Sequence, residues 1–194
     1  MKRLLLTIFL LTSVHAGDTF HSVMYSSASV ISSDSLGYDD SLILSNGKVE
    51  FLPAYSETRS FEQSVYHYSY RYGYNDDNYR VYGQLGIGTA EMGLLSCDVI
   101  FKLPELILNS EFFMGISIGT SKWIWSTSDG DEISLNSTMV GLQSGMMYNN
   151  FELGYRFFLL KGSIELSHNV YDGFDIIQKR SVDAMSELYI AYNF

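Results

Sequence analysis

The chain has 194 residues with 12 basic and 22 acidic side chains, and a formal net charge of −10 makes nucleic acid an improbable partner. A single cysteine, Cys97, excludes an internal disulfide, and an exported chain with one thiol is expected to bury it in an apolar place. With 46% hydrophobic residues and a mean hydropathy near zero, one domain is expected, either a soluble globule or a β-barrel, while 15 Tyr and 12 Phe against 2 Pro favour strands.

Lys2 and Arg3 form a positive start, Leu4 to Leu11 an apolar core and Val14-His15-Ala16 a small-residue cleavage site, so residues 1–16 read as a secretory signal peptide and 17–194 as the mature domain. An apolar core of about eight residues is too short to cross a bilayer as a helix, which needs roughly 20. Losing Lys2 and Arg3, and no acid, takes the net charge from −10 to −12. No cysteine follows the cleavage site, so no lipoprotein anchor is expected. Downstream, no apolar run is long enough for a helical span, so any crossing of a membrane is by strands.

From Gly17 to about Ser60 the pattern is weakest. A β-compatible, Ser-rich stretch over residues 20–32 is followed by Asn46-Gly47, a pair that favours a type I′ hairpin. Two readings stand: one strand and a long external loop, making eight strands in all, or an added hairpin that makes ten. From Val65 the alternation is regular. Tyr66, Tyr68, Tyr70, Tyr72 and Tyr74 share one face, and Val65, His67, Ser69, Arg71 and Gly73 the other. After Asn75 to Asn78 comes Tyr79 to Thr89, with Val81, Leu85 and Ile87 opposed to Arg80, Tyr82, Gln84, Gly86 and Gly88. Met92 to Lys102 sets Leu95, Cys97, Val99 and Phe101 against Ser96, Asp98 and Lys102.

The second half repeats the scheme. Phe112, Met114, Ile116 and Ile118 oppose Glu111, Gly115, Ser117, Gly119 and Ser121; Val140, Leu142, Met146 and Tyr148 oppose Gly141, Gln143 and Gly145; Phe151, Leu153, Tyr155, Phe157 and Leu159 oppose Glu152, Gly154 and Arg156. Each segment is close to the ~9–11 residues that a tilted strand needs to cross a bilayer. Short joints at Asn75 to Asn78, Leu103 to Asn109 and Asn149-Asn150 alternate with longer acidic ones at Ser126 to Leu135 and about Ser167 to Asp183. That is the barrel habit, the short turns being periplasmic. The Ala90-Glu91 connection is short for an external loop and fits the scheme least well.

The chain closes on Ser186 to Phe194, where Leu188, Ile190, Tyr192 and Phe194 share one face and Glu187, Tyr189, Ala191 and Asn193 the other. This segment resembles the C-terminal sorting signal of bacterial outer-membrane β-barrels. With the signal peptide and hairpins such as Tyr148-Asn-Asn-Phe-Glu-Leu-Gly-Tyr-Arg156, the chain from Val65 onward is similar to the small, porin-like, eight-stranded outer-membrane protein family. The resemblance implies an all-β fold, a closed antiparallel transmembrane barrel, in a Gram-negative outer membrane. It implies contact with outer-membrane lipid and lipopolysaccharide, biogenesis through periplasmic chaperones and the barrel-insertion machinery, and a monomer. It does not choose a role, since such families hold envelope-stability proteins, adhesins, narrow channels and a few enzymes. A secreted soluble barrel or sandwich is the remaining alternative.

An eight-stranded barrel is just wide enough to be filled by side chains, so Gly and Ser at inward positions make room for ions. The inward ions expected are Arg71, Arg80, Asp98, Lys102, Glu111, Glu152, Arg156 and Glu187, four basic and four acidic. That balance predicts an ion-pair lattice across the lumen, because an unpaired charge there costs several kcal/mol. The leading function is a structural or surface-interaction protein with external acidic loops, and a narrow diffusion channel is the alternative.

His67 and Ser69 share a face with the spacing of the His/Ser pair of outer-membrane lipid A deacylases. Tyr70 and Arg71 follow where that pattern has other residues, and the pair faces the lumen, so no enzyme is expected. Asp129, Gly130, Asp131 and Glu132 lack the ligand spacing of a calcium loop, so no metal or cofactor is expected. Trp123 and Trp125 read as an interfacial aromatic belt.

Overall fold

The computed structural model describes residues 18–38, 41–45, 48–102, 110–126, 132–171 and 174–194. The expected signal segment 1–16, the Asn46-Gly47 turn, the 103–109 joint and the acidic tip Asp129 to Asp131 lie outside them. Ten strands follow one another: β1 Asp18–Tyr38, β2 Ser41–Ser45, β3 Lys48–Leu52, β4 Tyr55–Asn75, β5 Tyr79–Gly88, β6 Ala90–Lys102, β7 Ser110–Ser126, β8 Glu132–Tyr148, β9 Phe151–Tyr171 and β10 Phe174–Asn193. Eight of them close an antiparallel barrel in the order β1-β10-β9-β8-β7-β6-β5-β4, and β2 and β3 form a separate two-stranded hairpin. The choice between eight and ten strands is thus resolved as eight in the wall plus a hairpin outside it.

The wall follows from period-two sequence. Val23, Leu85, Ile87, Val99, Ile116, Ile118, Val140, Leu142, Leu153, Leu159, Leu188 and Ile190 all stand exposed on the outer surface. Such a belt far exceeds the apolar patches that soluble monomers leave open. Cys97 belongs to it: the thiol faces outward and is exposed, contrary to the expected burial. At the end that holds Asp18 and Phe194, here the near end, aromatic rings pair around the rim. Tyr74 lies against Tyr79 at 5.9 Å, Phe101 against Phe112 at 6.3 Å, and Phe151 against Tyr192 at 5.3 Å between centroids. No described helix is long and apolar enough to cross a membrane.

At the far end the wall is uneven. The β5–β6 connection is the single residue Thr89, and Ala90 and Glu91, expected to form the turn, belong to β6. Thr89 pins this tip to β4, its N–H donating to the Tyr66 carbonyl at 3.2 Å and its Oγ1 accepting from the Tyr66 N–H at 3.3 Å. Gly88 permits the approach, since a Cβ there would lie 2.1 Å from the Tyr66 carbonyl oxygen. Beyond the His67–Gly88 pair, β4 runs on through Tyr55–Tyr66 with no β5 partner, roughly 35 Å along the strand at ~3.3 Å per residue.

Those residues pair only with β1, which pairs with β10, which pairs with β9 up to Phe174–Tyr171, while β8 and β9 part company beyond Thr138–Lys161. A four-stranded sheet, β4-β1-β10-β9, therefore rises above the barrel. The expected loop from about Ser167 to Asp183 is strand for nearly its whole length, and so is the weakly patterned stretch before Ser60. Along Tyr55–Ser64 the side chains are exposed on both faces, so no hydrophobic alternation marks that stretch. Register shifts at Ile31/Ser32 and between Val182 and Ala184 mark where it leaves the wall, with Asp183 taken up by Ser33 at 2.9 Å and Ser181 at 3.1 Å.

Candidate functional site

The lumen is the one place where the described chain gathers buried charge. Alternation puts Arg71 of β4, Arg80 of β5, Asp98 of β6, Glu152 and Arg156 of β9 and Glu187 of β10 on the inner surface, each 2% exposed or less. Glu152 is the hub. Its carboxylate accepts from Arg71 at 2.8 and 3.0 Å, from Arg80 at 2.6 and 3.0 Å, and from the Tyr189 hydroxyl at 2.7 Å. The Arg80 Nε donates to Asp98 at 2.5 Å, and Gln143 of β8 donates both to Asp98 and, at 2.8 Å, to the Tyr82 hydroxyl. Arg71 also reaches Ser22 of β1 at 2.8 Å. Strands on opposite sides of the tube are thereby tied across it.

Aromatic rings seal the guanidinium faces, Arg80 lying 4.4 Å from the Phe113 ring centre and Arg156 4.4 Å from that of Tyr189. Arg156 spans the lumen from β9 to β5, donating to Gln84 at 2.8 Å and to the Tyr82 hydroxyl at 3.3 Å. Its Nη1 stands 3.7 Å from Glu187, an attraction without a hydrogen bond. Three arginines face three carboxylates, so the interior charge balances.

Six of the eight expected lumen ions are thus inside. Lys102 and Glu111 are not: they stand at the near rim, where Lys102 is exposed with Nζ 3.2 Å from Asp77 and Glu111 is only half-buried. Inward parity continues to the end of a strand, whereas enclosure stops where the packed layers stop. The expected sorting-signal residues Leu188, Ile190 and Tyr192 are exposed on the outer face of β10, and Phe194, just past its end, is exposed as well, its backbone pairing with His21 of β1 at the near-end seam.

Toward the far end the lumen changes character. Ala28, Val30, Val65, Ala90, Met92, Leu94, Trp123, Leu135, Met139, Phe158, Leu160, Val182 and Met185 pack into one buried apolar cluster inside the barrel. Trp123, expected in an interfacial belt, is 3% exposed in this plug, its Nε1 donating to Ser137 at 3.2 Å, while the Trp125 side chain lies outside the described set. The sequence leads one to expect an inner surface rich in Gly, Ser and ions. The plug carries no signal in the sequence, because segments such as Phe157-Phe158-Leu159-Leu160 are apolar on both faces and the alternation disappears. Gln84, Gln143, Tyr82 and Tyr189 were legible as inward or as opposite to the apolar face, and only the fold makes them lattice partners.

Arg71, Asp98, Arg156 and Glu187 are 0% exposed, and the apolar cluster lies toward the far end from them. His67 and Ser69 are buried in the same interior, on the side of β4 away from the outer belt. Among the described residues no cluster of three or more His, Cys, Asp or Glu side chains is placed to hold a metal ion.

No protein-family model and no curated protein matches the chain. Among solved structures, Neisserial surface protein A is similar at 11% identity and a TM-score of 0.43, covering 86% of this chain and 99% of that one. The outer-membrane protein OprG of Pseudomonas aeruginosa is similar at 11% identity and 0.39, covering 92% and 97%. The attachment invasion locus protein Ail of Yersinia pestis is similar at 16% identity and 0.31, covering 88% and 99%. None of these superpositions is close.

Proposed function

We propose that this chain is an integral outer-membrane β-barrel of the Gram-negative envelope that acts at the cell surface through its raised sheet and conducts nothing. The dry lumen carries that reading: a lattice of fully buried ion pairs and an apolar plug lie in series, and a diffusion channel requires both to open. The apolar belt fits lipid acyl chains, and the near-end aromatic ring with Phe194 fits the periplasmic interface. Lipid and lipopolysaccharide then surround a single copy of the barrel, and chaperones and the insertion machinery read its terminal strand. The rising sheet leaves main-chain groups of β4 and β9 without ladder partners among the described residues, a surface able to pair with an extended segment of another polypeptide. The enzyme reading is disfavoured because His67 and Ser69 are sealed from both lipid and solvent.

Heat-modifiability tests the membrane half of this reading. Extracted from a Gram-negative host, the folded barrel should migrate apart from its boiled form, whereas recovery in the soluble periplasmic fraction with no mobility shift would sink it. Planar-bilayer recording tests the other half: purified protein should leave the membrane silent, and a steady conductance would favour the narrow channel instead. The raised sheet should be the part that extracellular protease removes from intact cells, with the barrel left behind.

A further inference from the structure

One piece of described structure stands outside the barrel, the hairpin of β2 and β3, which joins the ladder of no other strand. Its register opposes Leu42 to Phe51 and Leu44 to Val49, and residues directly opposed in an antiparallel pair share a face. One face is therefore assigned four apolar residues. The pairs between them, Ser45 with Lys48 and Ile43 with Glu50, belong to the other face, together with Ser41 and Leu52. On the apolar face, Phe51 is 64% exposed. The hairpin links Tyr38 to Tyr55, the last pair of the β1–β4 ladder, through connections of two residues on either side. It thus sits at the outer end of the raised sheet, beyond the roughly 35 Å that β4 runs without β5.

At the base of the hairpin the Tyr38 and Tyr55 rings stack with centroids 5.8 Å apart, and the Tyr55 hydroxyl donates to Glu57 at 2.8 Å, two residues farther from the hairpin. Apolar rings beside the hairpin and a hydroxyl turned to the polar sheet are the posture of tyrosine where an apolar layer meets water. A two-stranded hairpin by itself is at best marginally stable in water, so its apolar face calls for a cover that the barrel's ladders do not provide. A flat, uncharged face bordered by amphipathic rings suits the interface of a bilayer, which takes up apolar side chains without demanding a matching shape. Charge selects the kind of bilayer. Residues 36–60 carry four acids, Asp39, Asp40, Glu50 and Glu57, against Lys48 and Arg59, and the whole chain has a net charge of −10. An anionic surface repels such a tip, whereas a zwitterionic one does not.

We propose that the β2–β3 hairpin is a lipid-docking tip, the face of Leu42, Leu44, Val49 and Phe51 lying in the interface of a zwitterionic bilayer apposed to the cell. This rests on the raised sheet standing at the cell surface and names what its outermost end meets. The sheet carries the hairpin clear of the outer membrane, and the Tyr38–Tyr55 pair marks the level at which the apposed lipid ends.

Two measurements on the full chain held in nanodiscs test this, with heat-modifiability confirming that each barrel is folded. In flotation, phosphatidylcholine vesicles should carry the protein up and leave empty discs behind, and phosphatidylglycerol vesicles should carry less. Phe51→Asp should cut capture by phosphatidylcholine about ten- to a hundredfold, the factor for one large apolar side chain withdrawn from lipid, with the mobility shift unchanged because the hairpin lies outside the wall. Undiminished capture of that variant overturns the proposal, as does capture by phosphatidylglycerol that equals or exceeds it. The second measurement is the emission of Phe51→Trp over the wild-type background, which should move to the blue when phosphatidylcholine vesicles are added. An emission that does not move overturns the proposal. One already blue before vesicles are added does so too, because the face is then covered by its own barrel or by another copy. A sheet that protease removes from intact cells, on a protein that ignores the vesicles, keeps the surface reading and sinks the lipid tip alone.

Discussion

The near and far halves of the lumen seal the same narrow tube by opposite chemistry. Near the termini, three arginines and three carboxylates are buried, with Arg71 and Arg80 tied across the tube through Glu152; toward the far end, Trp123, Leu135, Met139, Phe158 and Met185 fill it as an ordinary apolar core. Fully burying a large apolar side chain stabilises by roughly 1.5–3 kcal/mol. Burying an ion pair recovers about what its desolvation costs, so the lattice adds little net stability while making each of its members hard to remove. What the lattice does supply is direction. Arg80 of β5 can meet Glu152 of β9 only if both strands are in register, and a slip of one residue would turn either charge onto the apolar belt. The far half holds the barrel together and the near half specifies which barrel it is.

The sharpest way to break this contrast is Glu152→Leu, which strands Arg71 and Arg80 without their shared partner. A loss of about 3–5 kcal/mol is expected in urea unfolding of the folded barrel. A loss below ~1 kcal/mol would mean that water already reaches the near half. In the far half, Phe158→Ala leaves a cavity in the plug and should cost roughly 3 kcal/mol. Both variants should stay silent in planar bilayers, since each leaves one of the two seals in place. Phe158→Ala stays silent because the lattice remains, and conductance from it alone would show that the plug, not the lattice, is the seal.

At the boundary between the wall and the raised sheet, Gly88→Ala forces a Cβ against the Tyr66 carbonyl and should cost about 1–3 kcal/mol. Its companion effect is faster proteolysis of β4 above Tyr66, and unchanged cleavage would show that the Thr89 tip is not what anchors the sheet there. Least affected should be Lys102→Ala. Its pair with Asp77 at the rim is 59% and 80% exposed, so a change within ~0.5 kcal/mol is expected. A larger loss would place Lys102 in the lattice after all.

Alternation, a property of each strand alone, was enough to read the seven wall strands from Val65 onward, the outer belt, the inner position of six ions and the closing strand to Phe194, while the first strand and the choice between eight and ten stayed open. The lumen-facing position of His67 and Ser69 was legible for the same reason. Contrast between faces is what a sequence displays, and it vanishes in two circumstances met here. In the raised sheet Tyr55–Ser64 is exposed on both faces, so the stretch before Ser60, like that from about Ser167 to Asp183, carried no strand signal. In the far half of the barrel both faces are apolar, one turned outward and one packed inside, so Trp123 read as a surface belt and Leu160 and Met185 carried no signal.

Which charge meets which is a further matter. Arg80 and Glu152 are 72 residues apart, and their contact depends on how strand tilt and stagger align rows on opposite walls. The sequence by itself therefore determined the wall, because a strand's two faces are decided by neighbours at i and i+2. Only the tertiary structure decided that the tube is sealed, by what, and where the sheet rises, because enclosure is a property of all eight strands at once.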